Sequence, residues 1–180
     1  MEEEPKQNSV TDEDFGDFKL RIPQSDKITI EITRQDFIDF IDDEANKYFT
    51  KFRKFYADGR DKFAFTWNWS AFFFVSAWMA WRKLYGWALV VFFLSYVPFL
   101  FHKEYYTILL MPVLGLTGNY LYYKHTKKKI LNLKTTQTFS DSTQMSNALH
   151  KIGGVNLWAA IVVVVLGSHV QALFRFIRAQ

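Results

Sequence analysis

The sequence lacks several features, and each absence excludes a class of chemistry. None of the 180 residues is cysteine, which excludes a disulfide framework, a thiolate metal site and a thiol nucleophile. No phosphate-binding loop and no GxGxxG, GxSxG or HExxH pattern occurs. The 4 histidines are scattered along the chain, which does not favour a metal site. The sequence therefore predicts a protein that is not an enzyme and that binds no cofactor or metal.

Acidic residues are almost missing from the second part of the chain. Residues 63–180 contain 2 Asp and Glu against 11 Lys and Arg, whereas residues 1–62 contain 16 against 11. A basic excess often indicates nucleic acid, but these cations lie beside long apolar segments, so we expect a lipid bilayer as partner and no nucleic acid. The N-terminal stretch MEEEPKQNSV lacks the basic start and apolar core of a secretory signal. We therefore expect the acidic region to stay in the cytoplasm.

Three apolar segments have the length that a membrane-spanning helix needs. A hydrocarbon core of about 30 Å requires about 20 helical residues. Residues 84–101, 105–123 and 155–174 meet this requirement and predict three transmembrane helices. Residues 124–154 predict a basic cytoplasmic loop, in which DSTQMSNALHKI has the apolar spacing of a short amphipathic helix before a glycine pair.

The aromatic stretch 63–81 could cross the bilayer or lie in its surface. If it does not cross, 13 of the Lys and Arg residues that flank the apolar segments lie inside and 3 outside; if it crosses, the division is 8 against 8. Because cytoplasmic loops carry the excess of Lys and Arg, the non-crossing arrangement is favoured. Tryptophan also prefers the membrane interface. The stretch therefore predicts an interfacial or re-entrant helix, with a cytoplasmic N-terminus.

The N-terminal third predicts a small cytoplasmic arm. Residues 1–26 have the composition of a disordered acidic tail. Residues 27–33 alternate as a half-buried strand, which needs a pairing or packing neighbour, and residues 34–58 predict one long amphipathic helix that starts with a capping box. The apolar residues of this arm either contact a protein partner or cover the protein's own core; they are Ile28, Ile30, Ile32, Phe37, Ile41, Tyr48, Phe52 and Phe55.

Other residues suggest contacts with lipid or between helices. The predicted interface anchors are Trp67, Trp69, Trp78, Trp81, Arg82, Lys83, Trp87 and Trp158. The predicted anionic-lipid contacts, which would also orient the chain, are Lys124, Lys127, Lys128 and Lys129. Polar residues at membrane depth either pack helices together or line a functional site; here they are Asn68, Asn119 and His169.

Part of this pattern resembles a known family, the domain of unknown function 2628, whose members are small bacterial inner-membrane proteins. The resemblance covers about residues 45–175 and depends on Trp67, Asn68, Trp69, Ala71, Phe72, Phe73, Trp78, Arg82, Lys83 and Tyr85. Gly118, Asn119 and Tyr122 with the lysine run, and then Gly153 and Gly154, extend it. It implies a multi-pass protein of the bacterial inner membrane. The acidic arm departs from the family, which has no established activity to transfer.

The sequence thus predicts a mainly α-helical integral membrane protein with three transmembrane helices, an aromatic interfacial or re-entrant helix and a cytoplasmic arm. The favoured function is a non-enzymatic anchor or accessory subunit that binds a protein partner through the arm. An alternative is a subunit of a small oligomeric channel or transporter, since three spans enclose a pathway only by assembling as a homo-oligomer. A lipid-modifying enzyme ranks third, because no acid, base or nucleophile is evident at the interface.

Overall fold

The computed structural model describes residues 19–25, 28–57, 60–101 and 108–180. The elements run in the order β1 Lys19–Ser25, β2 Ile28–Thr33, α1 Arg34–Ile41, α2 Ala45–Phe52, β3 Tyr56–Ala57, β4 Arg60–Asp61, α3 Trp69–Trp81, α4 Tyr85–Leu100, α5 Leu110–Thr136, α6 Ser142–Ile152 and α7 Leu157–Arg178. Short 3-10 turns, Asp42–Glu44 and Arg53–Phe55, follow α1 and α2. The fold is mainly helical, as the sequence predicts.

The arm, residues 19–61, begins with a β-hairpin. Strand β2 pairs antiparallel with β1, and Ile30 lies opposite Ile22. The prediction of disorder is therefore wrong for residues 19–25, while residues 1–18 lie outside the described part of the chain. The reason is that Leu20 and Ile22 face the core in alternation with exposed Lys19, Arg21 and Pro23, so the segment has the period of a strand.

The predicted long helix of residues 34–58 is two short helices. The capping box forms as predicted, because the Thr33 hydroxyl accepts from the Asp36 amide and the Asp36 carboxylate accepts from the Thr33 amide. Helix α1 then ends at Asp42, where φ is 69°. Asp tolerates positive φ better than branched residues do. The break changes the direction of the chain between α1 and α2. The aromatic side chains of both helices therefore pack into one core.

Helix α5 is longer than the predicted span. It runs unbroken over 27 residues to Thr136, so residues 124–136 form a helix where the sequence suggested a loop. Residues 110–123 are apolar, whereas the following part is basic on its exposed sides and buries Thr126, Ile130 and Leu133. That buried stripe recurs with helical spacing and faces the arm. The helix therefore joins the apolar part of the protein to the arm.

Helices α4 and α7 begin side by side and run in the same direction. At their starts the Asn156 amide donates to the Tyr85 hydroxyl at 2.9 Å, and further along the Tyr96 hydroxyl donates to the Gly167 carbonyl at 3.0 Å. Helix α3 packs against α4, α5 and α7. Helix α6, the predicted short amphipathic helix, packs on α1 and buries Leu149.

One helix in the described part of the chain is long and apolar enough to cross a membrane. This helix is α7, which follows α6 after a short break at 153–156. None of the residues in its most apolar 18-residue stretch is buried. Helices α3 and α4 are shorter apolar helices. Residues 102–107, which include the start of the second predicted span, lie outside the described residues.

Candidate functional site

Asn68 and Asn119, two of the polar residues for which the sequence predicts a packing or functional role, form a buried pair where α3 meets α5. The Asn68 amide nitrogen donates to Asn119 Oδ1 at 2.8 Å, while Asn68 Oδ1 caps α3 by accepting from the Ala71 amide at 3.0 Å. The Asn119 amide nitrogen donates to Thr66 Oγ1 at 3.0 Å and to the Trp67 carbonyl at 3.2 Å. Together these bonds satisfy the non-helical backbone that enters α3, which is a requirement for irregular backbone among apolar helices.

Glycines let the backbone of α5 approach this segment. The backbone amide of Asn68 donates directly to the Gly115 carbonyl at 2.8 Å. A Cβ at Gly118 would lie 2.8 Å from the Cβ of Ala71, closer than carbon atoms pack. The Gly-Asn pair at 118–119 therefore has a packing role: the glycine allows close approach and the asparagine supplies the hydrogen bonds.

A buried cation joins the arm to the C-terminal end of α3. Arg82 is 2% exposed and forms an ion pair with Glu44 of the arm. Its guanidinium carbon lies 4.6 Å from the Tyr48 ring centroid and 5.4 Å from that of Tyr122. Burial lowers the pKa of Arg82 and raises that of Tyr48 to about 12. Because a guanidinium keeps its proton far above neutral pH, Arg82 is a buried cation, held by a carboxylate and the aromatic faces of Tyr48, Trp81 and Tyr122.

We call these residues the junction cluster: Glu44, Tyr48, Asn68, Trp78, Arg82, Asn119 and Tyr122. These residues belong to α2, α3 and α5 or lie directly beside the ends of those helices. Its side chains make close mutual contacts, as in the Tyr48 and Tyr122 rings, whose centroids are 4.9 Å apart. The cluster connects the arm to the apolar helices. The Arg82–Glu44 ion pair joins α3 to the arm, and the Asn68–Asn119 hydrogen bond joins α3 to α5.

A second set of charges fixes the arm to the basic half of α5. Asp61 accepts from the Tyr123 hydroxyl at 2.8 Å and from Lys124 and Lys127 at 2.8 and 2.6 Å. Burial raises the pKa of Asp61, but the hydrogen bonds from these three groups outweigh that effect and hold it below its usual value. Lys134 donates to Asp36 at 2.5 Å and to the Glu31 carbonyl at 2.7 Å.

The predicted partner contacts of the arm lie in the protein's own core. Phe37, Phe52 and Phe55 are 0% exposed, Tyr48 and Ile41 are 1% exposed, and Ile32 is 0% exposed. Ile30 is half-buried, and the side chain of Ile28 lies outside the described part. The aromatic rings pack on α5, with centroids 5.4 Å apart between Phe52 and Tyr123. For the six buried residues the structure favours the second interpretation, because their side chains cover the protein's own core.

The predicted interface anchors divide into two groups. Trp69, Trp87 and Trp158 are 62%, 48% and 76% exposed and remain available to lipid. Trp78 and Arg82 are buried and Trp67 and Trp81 half-buried, so they pack helices together. Lys83 is half-buried, and its ammonium group donates to the Gly153 carbonyl before α7. Spacing alone could not separate these groups, because α3 has neighbours on several sides.

His169 takes no part in the hydrogen bonds of the Asn68–Asn119 pair. It lies on an exposed side of α7, where its Nδ1 is 2.8 Å from the Val165 carbonyl. That carbonyl also accepts from the Ser168 hydroxyl at 2.8 Å. Across the described residues, no group of three His, Asp or Glu side chains is arranged to hold a metal ion.

Sequence reasoning missed Glu44, Asp61 and Lys134 as structural partners. The available signal was weak: Asp61 is the last acid before the aromatic stretch, and the basic run on α5 begins with the Tyr-Lys pair that binds it. No family model, curated protein or solved structure matches this chain. The family resemblance therefore stays a prediction.

Proposed function

We propose that the chain is an integral protein of the bacterial inner membrane, with α4, the apolar part of α5 and α7 as three spans. The ion pairs and hydrogen bonds of Arg82, Lys83, Lys124, Lys127 and Lys134 gather these cations at the arm's end of the helices. A common basic end supports a cytoplasmic arm, because cytoplasmic segments carry the excess of Lys and Arg. In this orientation α4 and α7 run outward and α5 returns.

In this arrangement α3 enters the membrane and returns on the same side. Its 13 residues would span only about 20 Å, less than the hydrocarbon core of about 30 Å. Val75 interrupts the helix with φ 44°. Both ends of the segment 63–81 lie beside the same part of α5, since Phe63 packs edge-on to Tyr120 and Arg82 contacts Tyr122. These contacts support the re-entrant alternative for residues 63–81.

The function that we propose is a non-enzymatic membrane anchor or accessory subunit. The observation that carries it is the continuous core between the arm and α5, which contains Leu20, Phe37, Phe52, Tyr123 and Ile130. Each fully buried side chain of this size contributes about 1.5–3 kcal/mol, so the arm is held rigidly on α5. We call the arm together with residues 124–136 the platform. A rigid platform at the membrane surface suits a protein that presents a fixed binding face.

The outer edge of β1 is the face we assign to the protein partner. The opposite edge of the hairpin is occupied, because Lys134 donates to the Glu31 carbonyl of β2. Among the described strands β1 pairs with β2 alone. The side chains of Lys19, Arg21 and Pro23 in β1 are exposed. Proline is characteristic of edge strands. An extended peptide could add to this edge through backbone hydrogen bonds.

Site-specific photo-crosslinking in native membranes tests this function. We expect a probe at Arg21 to give a discrete higher-mass adduct, whereas a matched probe at Asn46, exposed on α2, gives none. The Asn46 probe controls for random collisions at the membrane surface. The absence of an adduct at Arg21, or equal adducts at both positions, would contradict an anchor that binds through β1.

A further inference from the structure

The outward face of the basic half of α5 is distinct from the face that holds the arm. It lines an open depression of about 470 Å³, formed by His125, Lys128, Lys129, Leu131, Asn132 and Thr135. Positions 125, 128, 129 and 132 recur at the spacing of one helix face. The arm-facing side instead buries Thr126, Ile130 and Leu133.

The four lysines predicted to contact lipid have different partners in the structure. Lys124 and Lys127 are paired with Asp61. Lys128 and Lys129 are exposed, and within the described residues neither takes part in an ion pair. Burial lowers the pKa of His125 to about 4, and the charges of Lys129 and Lys128 contribute to that lowering. The depression therefore has a positive potential that the arm leaves uncompensated.

The depth of this face matches the lipid headgroups. In the proposed orientation α5 has left the hydrocarbon by Tyr123, because Tyr123 and the next residue, Lys124, bond the Asp61 carboxylate and such charged groups are costly in hydrocarbon. Lys128 and Lys129 then lie about 8–9 Å further along the helix axis, at about 1.5 Å per residue. The headgroup layer is about 5–8 Å thick on each side, and long lysine side chains reach back towards the interface.

We propose that this face binds the phosphate of an anionic phospholipid, with Lys128 and Lys129 as its cationic contacts. The shared chemistry is phosphate, and the membrane is the source to which we assign it. Asn132 and Thr135 line the same depression but lie about 14 and 18 Å beyond Tyr123 along the helix axis, so they stay outside the headgroup layer and the lipid contacts are those of the two lysines. This inference rests on the proposed membrane orientation and deepens it, since it places a specific lipid beside the platform.

Lipid retention by the full chain, measured by native mass spectrometry after delipidation in detergent, tests the site. We compare phosphatidylglycerol with phosphatidylcholine for the wild type and for the double variant Lys128→Gln, Lys129→Gln. The double variant removes two cations of the kind that attract anionic lipid, so it should lose about thirtyfold of its preference for the anionic lipid. The control is Lys54→Gln, Lys151→Gln, which removes two exposed lysines elsewhere.

An equal loss of preference in the control variant overturns the site, because ordinary surface charge would then account for binding. Pyrophosphate, added as a soluble probe, identifies the source: binding as tight as that of the lipid, and equally sensitive to the double variant, would overturn the lipid assignment. A cysteine at Ser140 that reacts from outside intact cells would overturn the proposed orientation instead. Retention of the preference by the double variant in a correctly oriented protein would overturn only the lipid site.

Discussion

Two adjacent tyrosines of α5 are both buried and differ in one hydrogen bond. The Tyr123 hydroxyl donates to Asp61 at 2.8 Å. The Tyr122 hydroxyl is buried beside Arg82 and Thr126, forms no hydrogen bond of good geometry among the described residues and contacts no carboxylate. Because a well-aligned hydrogen bond to a carboxylate contributes more than a poorly aligned contact, the same chemical change should have a larger effect at Tyr123 than at Tyr122.

We expect Tyr123→Phe to lower the free energy of unfolding by about 1.5–3 kcal/mol, the usual contribution of a hydrogen bond to a charged group. Tyr122→Phe should cost less, about 1 kcal/mol or below, and serves as the matched control. Thermal unfolding of the two purified variants in the same detergent measures the difference. Equal destabilisation of both variants would contradict the distinction between the hydroxyl that bonds a carboxylate and the one that does not.

The residues of the junction cluster show which details the sequence could predict. Asn68 and Asn119 were identified because amides are rare in apolar helices, and the structure places them in one hydrogen-bonded pair. The pairing of Arg82 with Glu44 could not be predicted, since the two residues come together only after α1 and α2 fold back on α5. Local spacing predicts which side of a helix is apolar, but not which neighbour covers it.

The connection between α6 and α7 depends on a glycine in contact with α1. A Cβ at Gly153 would collide with the carbonyl oxygen of Phe40, and the next amide, that of Gly154, donates to the same oxygen at 2.7 Å. Since the obstacle is backbone, a side-chain rotation cannot relieve it. Gly86 near the start of α4 provides the contrast, because nothing in the described chain lies within 4 Å of the place that a methyl group would take there.

We expect Gly153→Ala to lower the free energy of unfolding by about 3 kcal/mol or more, as forced overpacking does when the backbone must shift. Gly86→Ala should be neutral or stabilising by at most about 1 kcal/mol, because alanine favours the helix. Apparent melting temperatures in detergent provide the comparison. A Gly153→Ala protein as stable as wild type would mean that α6 does not pack on α1 as described.

Element boundaries were predictable where composition changes sharply. The start of α1 at its capping box, the ends of α4 and the existence of α6 and α7 all follow from caps, glycines and apolar period. The break between α1 and α2 was not predictable, because Asp42 continues the acidic pattern of the helix and only its positive φ ends it. The extension of α5 beyond Tyr123 was hidden by its lysines, which are good helix formers as well as loop residues.

The orientation of the chain as a whole is testable because none of the 180 residues is cysteine. We would introduce single cysteines at Asn46, Ser140 and Gln180, all exposed, and treat intact cells with a membrane-impermeant thiol reagent. Only Gln180→Cys should react, and all three should react after permeabilisation. Labelling of Asn46→Cys from outside would show that residues 63–81 cross the membrane as a fourth span.

The unbroken course of α5 gives the protein a mechanical property. Its 27 residues form a rod about 40 Å long. In the proposed orientation one end of this rod is embedded in the bilayer and the other is bonded to the arm. A span that is longer or shorter than the surrounding bilayer adjusts by tilting. With no hinge in α5, a tilt of about 10° would swing a point about 20 Å along the rod by about 3.5 Å. Bilayer thickness would thereby set the angle at which the hairpin edge faces the cytoplasm.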